Sequence, residues 1–171
     1  KINEINPDIV HLHWICGGMI KIEDIANIKA HIVWSLHDMW AFTGGCHYNE
    51  GCSLYKNNCG NCKVLGSDKK NDLSRSIFNR KKKTFPLISS LTIIGVSQWL
   101  TKTSKNSPLL KNKKHINIPN PIDTNIFKPF SKYKARDLWG LPKSKKLVLF
   151  GAIGATSDPR KGFKELNESM D

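Results

Sequence analysis

Short, nearly uninterrupted apolar runs recur along this chain, and segments with helical spacing separate them. The runs are rich in Ile, Val and Leu, and they occupy residues 8–14, 31–36, 91–96, 115–118 and 146–150. Strands that are apolar along most of their length belong to parallel sheets, where helices cover both faces. The sequence therefore predicts an α/β fold in which a parallel sheet carries helices on both faces.

Helix signals lie in the spaces between these runs. Isoleucine recurs at roughly helical spacing in residues 22–28. Asp72 and Ser97 are predicted N-caps because a short polar side chain precedes a helical pattern at each position. The helix after Asp72 is predicted to run to about Leu87, and a last helix is predicted to begin near Lys161.

Prolines are concentrated in residues 119–145, a composition typical of an interdomain connection. The residues that follow contain a single strand, loop and helix, which cannot bury their own faces. We therefore predict a first domain over residues 1–142 and the first βα unit of a second domain over residues 143–171. The chain has no initiating Met and stops within a helical pattern, so we expect an internal piece of a longer protein.

The chain is strongly basic, with 27 Lys and Arg against 14 Asp and Glu and a net charge of +13. This charge suits nucleic acid, an anionic membrane or a phosphorylated ligand, although a Lys-rich proteome explains it equally well. Seven basic residues on or before one predicted helix either face anionic lipid or form a solvated surface: Lys69, Lys70, Arg75, Arg80, Lys81, Lys82 and Lys83. No apolar run approaches the ~20 residues of a spanning helix. We expect a cytoplasmic protein, either free or peripheral to the inner face of the plasma membrane.

Four of the five cysteines lie in a loop over residues 38–66 that has almost no apolar periodicity. A loop of this length is usually functional or held by something other than a core. The four include a Cys-x-x-Cys pair, which places two sulfurs within reach of one tetrahedral ion: Cys46, Cys52, Cys59 and Cys62. Structural zinc is the favoured interpretation, with reduced or partly oxidised thiols and an iron–sulfur cluster as alternatives. His47 is a spare ligand or an ordinary loop residue, and Cys16 is predicted to be a small buried residue.

Polar residues follow two predicted strands at the edge where open parallel sheets bind ligands. His37 and Asp38 come directly after the second strand. His13 ends the first strand, with Gly17 and Gly18 behind it. These positions make His37 a candidate for chemistry and the others candidates for binding.

Other polar motifs have both a functional and a plain structural interpretation. His11 is predicted to be a hydrogen-bonded core histidine. Asn120 and Asp123 suit an Asx-type turn. Arg160 and Lys161 precede a helix, so they either hold a phosphate with the helix N-terminus or belong to an ordinary surface loop.

In order and spacing, these pieces resemble the family 4 glycosyltransferases across essentially the whole chain. The matching segments are a strand ending in His, a Thr-x-His-like motif, a Val-Ser turn, an Asn-x-x-Asp-x3-Phe-x-Pro motif and the opening of a nucleotide-binding domain: residues 8–13, 35–38, 95–97, 120–129 and 150–162. Residues 37–62 also resemble a bacterial branch of the family that assembles capsule, exopolysaccharide or lipopolysaccharide.

The resemblance implies a GT-B fold, in which two Rossmann-like domains face each other across a cleft. It implies metal-independent sugar transfer, with retention at the anomeric carbon, from a nucleotide-sugar donor to a glycan or polyprenyl-linked acceptor. By position, His37 is expected to contact the donor sugar and Lys161 to hold the diphosphate. The other donor-side candidates are Arg160, Gly151, Asn120 and Asp123, and the acceptor-side candidates are His13, Gly17, Gly18 and Asp38. No cofactor is expected for catalysis.

The chain departs from the family pattern at several positions. Ala152 follows Gly151 where the family carries a diphosphate-binding Arg, which leaves that contact to Arg160 or to nothing. Pro121 stands where the family has Gly and stiffens the turn. The family's glycine-rich acceptor loop and Glu-x7-Glu motif are absent, so residues 1–171 alone are expected to be inactive.

Two other classes of protein are consistent with parts of the sequence. A zinc-stapled nucleic-acid-binding or interaction module would use the net charge and the cysteines, but Lys56 is the only Lys or Arg in residues 38–62. We therefore expect no nucleic-acid partner. A secreted disulfide protein is disfavoured by the odd cysteine count.

Overall fold

The computed structural model describes residues 1–170 of the chain. Residues 1–121 form one compact unit, and the described residues from Ile122 onward form a second. The domain division at residue 142, expected from the sequence, stays a prediction. In residues 1–170 no helix is both long enough and apolar enough to cross a membrane.

The first unit alternates strands and helices. Its strands are β1 (Ile9–Leu12), β2 (His31–Leu36), β3 (Leu91–Gly95) and β4 (Lys114–Asn117). Its α-helices are α1 (Ile2–Ile5), α2 (Ile22–Ile25), α3 (Leu73–Thr84) and α4 (Gln98–Lys105). Single turns of 3₁₀ helix lie at Trp40–Phe42, Leu54–Lys56, Lys63–Leu65 and Phe85–Leu87.

The four strands form one parallel sheet in the order β1-β2-β3-β4. Leu12 lies opposite Trp34, and Leu36 lies opposite Gly95. This register brings the carboxyl ends of β1, β2 and β3 to the same edge of the sheet. The α/β, Rossmann-like arrangement expected from the sequence is confirmed.

The core is formed mainly by one face of this sheet and the helices packed on it. Ile32, Trp34 and Leu36 alternate along β2 and are all buried, as is Ile93 on β3. Phe78 of α3 is fully buried in the same cluster. Side chains at alternate strand positions point to the same face of the sheet. Burial of one set therefore fixes the orientation of each strand and of the residues at its carboxyl end.

Two helix starts expected from the sequence are confirmed. The Asp72 carboxylate accepts a hydrogen bond from the backbone N–H of Arg75 at 3.0 Å. The Ser97 hydroxyl accepts one from the N–H of Leu100 at 3.1 Å. Each cap satisfies a donor that the first turn of a helix leaves without a partner.

The second unit contains α5 (Lys132–Leu138), a 3₁₀ turn (Pro159–Lys161) and α6 (Phe163–Glu168). The strand predicted over residues 146–150 is wrong, because this segment is irregular in the structure. A strand needs a neighbour for its backbone hydrogen bonds, and none lies within the described residues of this unit. Leu149 is accordingly 98% exposed.

Candidate functional site

Histidines from neighbouring strands meet at the carboxyl edge of the sheet. The Nδ1 atom of His13 lies 3.0 Å from Nε2 of His37, within hydrogen-bond distance. Their rings stack with centroids 5.3 Å apart and an interplanar angle of 23°. Both side chains are exposed. The contact follows from the β1–β2 register, because each histidine directly follows its strand. The indole N–H of Trp34 donates to the backbone carbonyl of His13 at 3.1 Å and helps to hold this residue in place.

His11 extends this pair into a row of three imidazoles. Its ring centroid lies 4.2 Å from that of His13, and its Nε2 lies 2.9 Å from the Ser35 hydroxyl. Partial loss of solvent around the ring, followed by the charges of His13 and His37, lowers the pKa of His11 below its usual value. His11 is exposed rather than part of the core, so the prediction of a core histidine is wrong. Its strand position faces the less covered side of the sheet.

Asp38 connects this edge to the cysteine-containing loop. One carboxylate oxygen accepts from the backbone N–H of Trp40 at 2.8 Å, and the other lies 2.6 Å from Nδ1 of His47. The His47 ring stacks beside Trp14, with centroids 6.1 Å apart. No local sequence signal predicts the Asp38–His47 pair, because the fold of the loop brings His47 back to Asp38.

The turn after β1 carries the two glycines predicted on the acceptor side. Gly17 and Gly18 have φ angles of +69° and +82°, a region that favours glycine. They follow β1 along the chain and lie in an exposed turn. No hydrogen bond ties either glycine to His13, His37 or Asp38, within residues 1–170.

All four loop cysteines border one cavity of about 400 Å³. Cys59 is buried, whereas Cys46, Cys52 and Cys62 are half-buried. Burial raises the pKa of Cys46, and it raises the pKa of Cys59 to about 11, so both are protonated thiols in this arrangement. In residues 1–170 no three His, Cys, Asp or Glu side chains lie close enough together to share a metal ion. The zinc site expected from the sequence stays a prediction.

Lys81 of α3 lies beneath the start of this loop and is fully buried. Its ammonium donates to the carbonyl oxygens of Trp40 and Thr43, the second at 3.1 Å. It also lies 3.6 Å from the centroid of the Trp40 ring. Burial lowers the pKa of Lys81 to about 7. Nothing in the run of three lysines signals which one points inward.

The basic helix face differs from the one expected. Lys81 cannot contact a membrane, because it points into the core of the first unit. Arg80 makes a two-pronged ion pair with Glu23, with both N···O distances 2.8 Å. Lys82 and Lys83 are exposed. Cys16 is half-buried instead of buried.

The donor-side candidates fall in two places. Asn120 lies near the end of the first unit, in an exposed segment, and Gly151 lies in an irregular segment of the second. The Asp123 carboxylate accepts from the N–H of Asn125 at 2.8 Å, so the expected Asx-type turn is confirmed. Arg160 donates to both carboxylate oxygens of Asp158, at 2.9 and 2.7 Å.

Lys161 is exposed and ends the 3₁₀ turn before α6. Gly162, with φ of +72°, makes the transition into the helix. The helix has only six residues, and its first turn receives no side-chain cap. The structure therefore places Arg160 and Lys161 side by side in a surface turn, which leaves their role in phosphate binding a prediction.

Comparison with known proteins identifies one partial relative. Over 70 residues the chain is 29% identical to WcaC of Escherichia coli (strain K12), a protein assigned as a glycosyl transferase of colanic acid biosynthesis. The resemblance is to a glycosyltransferase. The aligned part covers 36% of this chain and 17% of that protein. No model of a known protein family matches the chain, and no solved structure matches it.

Proposed function

We propose that this chain is part of a glycosyltransferase that moves a sugar from a nucleotide-sugar donor to a glycan or lipid-linked acceptor. The observation that carries the proposal is the pairing of His13 with His37 at the carboxyl edge of a parallel sheet. Ligands of open α/β sheets bind at that edge. The partial likeness to a protein named for colanic acid biosynthesis supports the reaction class and a role in cell-surface polysaccharide synthesis.

His37 is suited to bind a sugar hydroxyl. Its Nε2 is occupied by His13, which leaves Nδ1 for a ligand. If His13 donates the shared hydrogen, His37 carries its own hydrogen on Nδ1 and acts as a donor to the sugar. If His37 donates instead, its Nδ1 is an acceptor for a hydroxyl hydrogen. In both tautomers the pair holds the ring in place before the substrate arrives, which favours reaction.

The proposed reaction is of the retaining, family 4 kind in a GT-B enzyme. The bond between the anomeric carbon and the donor's β-phosphate oxygen breaks, and a bond to the acceptor oxygen forms on the same face. The acceptor's proton passes to the leaving phosphate oxygen, so the products are the glycoside and a nucleoside diphosphate. No metal or organic cofactor takes part.

Negative charge develops on the leaving diphosphate, so a nearby cation accelerates the step. Lys161 is the first candidate in the second unit, because it is exposed and its ammonium is a compact charge. Arg160 is the second candidate, and its ion pair with Asp158 would have to open. Asn120, Asp123 and Gly151 remain proposed donor contacts.

A location at the inner face of the plasma membrane is also proposed. Lys82 and Lys83 are exposed on α3 and add positive charge to that surface. Each basic residue near an anionic surface contributes roughly 1 kcal/mol to binding. Co-sedimentation with vesicles should therefore increase with anionic lipid content, and indifference to lipid charge would contradict this location.

The test uses the complete open reading frame that encodes these residues. The protein is incubated with a panel of UDP-, GDP- and dTDP-sugars and with bacterial membranes as the acceptor source, and nucleoside diphosphate release is measured. His37→Ala should lower the rate by about 100-fold or more, the scale of a lost catalytic contact. His115→Asn, on β4 and away from the histidine row, is the matched control.

Circular dichroism of both variants establishes that they fold. A folded His37→Ala protein that releases diphosphate at the wild-type rate would contradict the role of His37. Binding to DNA or RNA without diphosphate release from any donor would favour the nucleic-acid-binding module instead.

A further inference from the structure

The cavity in the first unit is bordered by four cysteines of one loop. Its wall includes Cys46, Cys52, Cys59 and Cys62. The fifth cysteine, Cys16, follows β1 and does not line it. Four sulfurs around one cavity form the donor set that a tetrahedral site for a soft divalent cation requires.

Backbone donors already point at two of these sulfurs. The N–H of Gly44 donates to the Cys59 sulfur at 3.2 Å, and the N–H of Leu54 donates to the Cys52 sulfur at 3.5 Å. Hydrogen bonds of this kind orient metal-bound thiolates and stabilise their negative charge. Gly44 must be glycine here, because a Cβ would lie 2.9 Å from the Cys59 Cβ.

A half-buried arginine with one unsatisfied buried donor atom lies against the Cys-x-x-Cys turn. The Nε of Arg75 is buried and has no hydrogen-bond partner in residues 1–170. It packs closely on Gly60, between Cys59 and Cys62, since a Cβ built on Gly60 would lie 3.2 Å from that nitrogen. A buried donor without an acceptor is costly. A negatively charged metal–thiolate centre would offset this cost.

Lys81 is a second basic side chain near these cysteines. It is fully buried and close enough to Cys46 and Cys59 to interact with them electrostatically. A divalent ion with four thiolates carries two negative charges. Arg75 and a protonated Lys81 together would carry two positive charges, which would match the charge of the bound centre.

We propose that Cys46, Cys52, Cys59 and Cys62 bind one Zn²⁺ as a structural site. On binding, the four thiols release four protons to solvent and each sulfur donates an electron pair to the ion. The sulfurs must move together into the cavity, because no three of them share a coordination point in the described residues. Glycines with positive φ at Gly45, Gly51 and Gly66 provide the backbone freedom for this closure.

The bound ion would fix the loop beside the histidine row. Thr43 donates its hydroxyl to the Cys46 carbonyl at 2.8 Å, and its own carbonyl accepts from Lys81. The same loop carries Asp38 and its partner His47. Closing the cysteines around zinc would therefore restrict the segment that leads from His37 into the loop. This inference does not depend on the reaction proposed above.

The test is metal analysis of the complete protein, purified under reducing conditions, by inductively coupled plasma mass spectrometry. Wild type and Cys16→Ser should each carry one zinc per chain. Cys62→Ser should bind zinc at least about tenfold more weakly in competition with a chromophoric chelator. Cobalt substitution should produce the thiolate charge-transfer and d–d bands of a tetrahedral site in wild type and Cys16→Ser alone.

The metal-free forms of wild type and Cys62→Ser should have the same circular dichroism, which separates ligand loss from misfolding. If the two metal-free forms differ, Cys52→Ser serves as the second ligand variant, because the hydrogen bond to the Cys52 sulfur is the longer of the two and its loss should disturb the fold less. Cys16→Ser losing zinc as Cys62→Ser does, or wild type remaining metal-free after reconstitution, would overturn the proposal. Iron with inorganic sulfide, or two disulfides detected by mass spectrometry, would also overturn it.

Discussion

Replacing the buried Lys81 with Met tests how the cysteine-containing loop is held on the sheet. The change keeps most of the side-chain volume but removes the ammonium that donates to the carbonyls of Trp40 and Thr43. A hydrogen bond from a charged donor contributes roughly 1.5–3 kcal/mol, so losing both costs about 3–6 kcal/mol before compensation. Removing a buried charge returns part of its desolvation cost. We therefore expect the free energy of unfolding to fall by about 2–3 kcal/mol.

The assay is urea unfolding followed by tryptophan fluorescence at fixed metal content and at a fixed pH below 7, where the Lys81 ammonium is charged in the folded protein as well. Lys82→Met is the matched control, since Lys82 is the next residue of α3 and is exposed. An exposed substitution of this kind usually changes the free energy of unfolding by less than about 0.5 kcal/mol. If Lys81→Met were as stable as Lys82→Met, the two hydrogen bonds would not outweigh the desolvation of the ammonium.

The pH dependence of the same comparison has a definite sign. Burial lowers the pKa of Lys81 to about 7, against an ordinary value of 10.5, so the unfolded chain binds more protons between these values. Stability that depends on Lys81 must therefore rise with pH across this window, by up to about 1.4 kcal/mol per pH unit. The stability difference between wild type and Lys81→Met should widen from pH 7 to pH 9, and a narrowing would refute the buried position.

Two further substitutions test the packing and the loop. Gly95→Ala would place a Cβ 2.7 Å from the backbone nitrogen of Thr101, which should cost roughly 1–3 kcal/mol of stability and lower the melting temperature. Gly151→Ala is the control, because a Cβ there would meet open space and the variant should melt like wild type. Equal melting temperatures of the two variants would contradict the packing of β3 on α4. Asp38→Ala removes the hydrogen bonds to His47 and Trp40 and should lower the free energy of unfolding by about 1–2 kcal/mol in urea. The exposed Asp68→Ala is its control, and no difference between them would mean that Asp38 does not anchor the loop.

The sheet and its helix caps could be predicted because their signals are local. Apolar runs become strands once they find neighbours, and Asp72 and Ser97 cap the helices that follow them. The nearness of His13 and His37 also follows from the sequence, given that adjacent parallel strands end at one edge. The apolar run at residues 146–150 carries the same local signal but has no partner strand among the described residues of its unit, so it is irregular.

The remaining features depend on contacts between distant parts of the chain. Lys81 is buried because the loop after β2 returns over α3, and its neighbours Lys82 and Lys83 have the same composition and different surroundings. Asp38 meets His47 for the same reason. The missing hydrogen-bond partner of the Arg75 Nε atom can be recognised only from the three-dimensional structure around it.

The most direct test of the proposed function is sugar transfer itself. The complete protein is incubated with nucleotide sugars radiolabelled in the sugar and with membranes carrying lipid-linked acceptors, and the label in the lipid and polysaccharide fractions is counted. We expect label from at least one donor to move into these fractions with wild type and not with His37→Ala. No incorporation from any donor, or equal incorporation with both proteins, would contradict it.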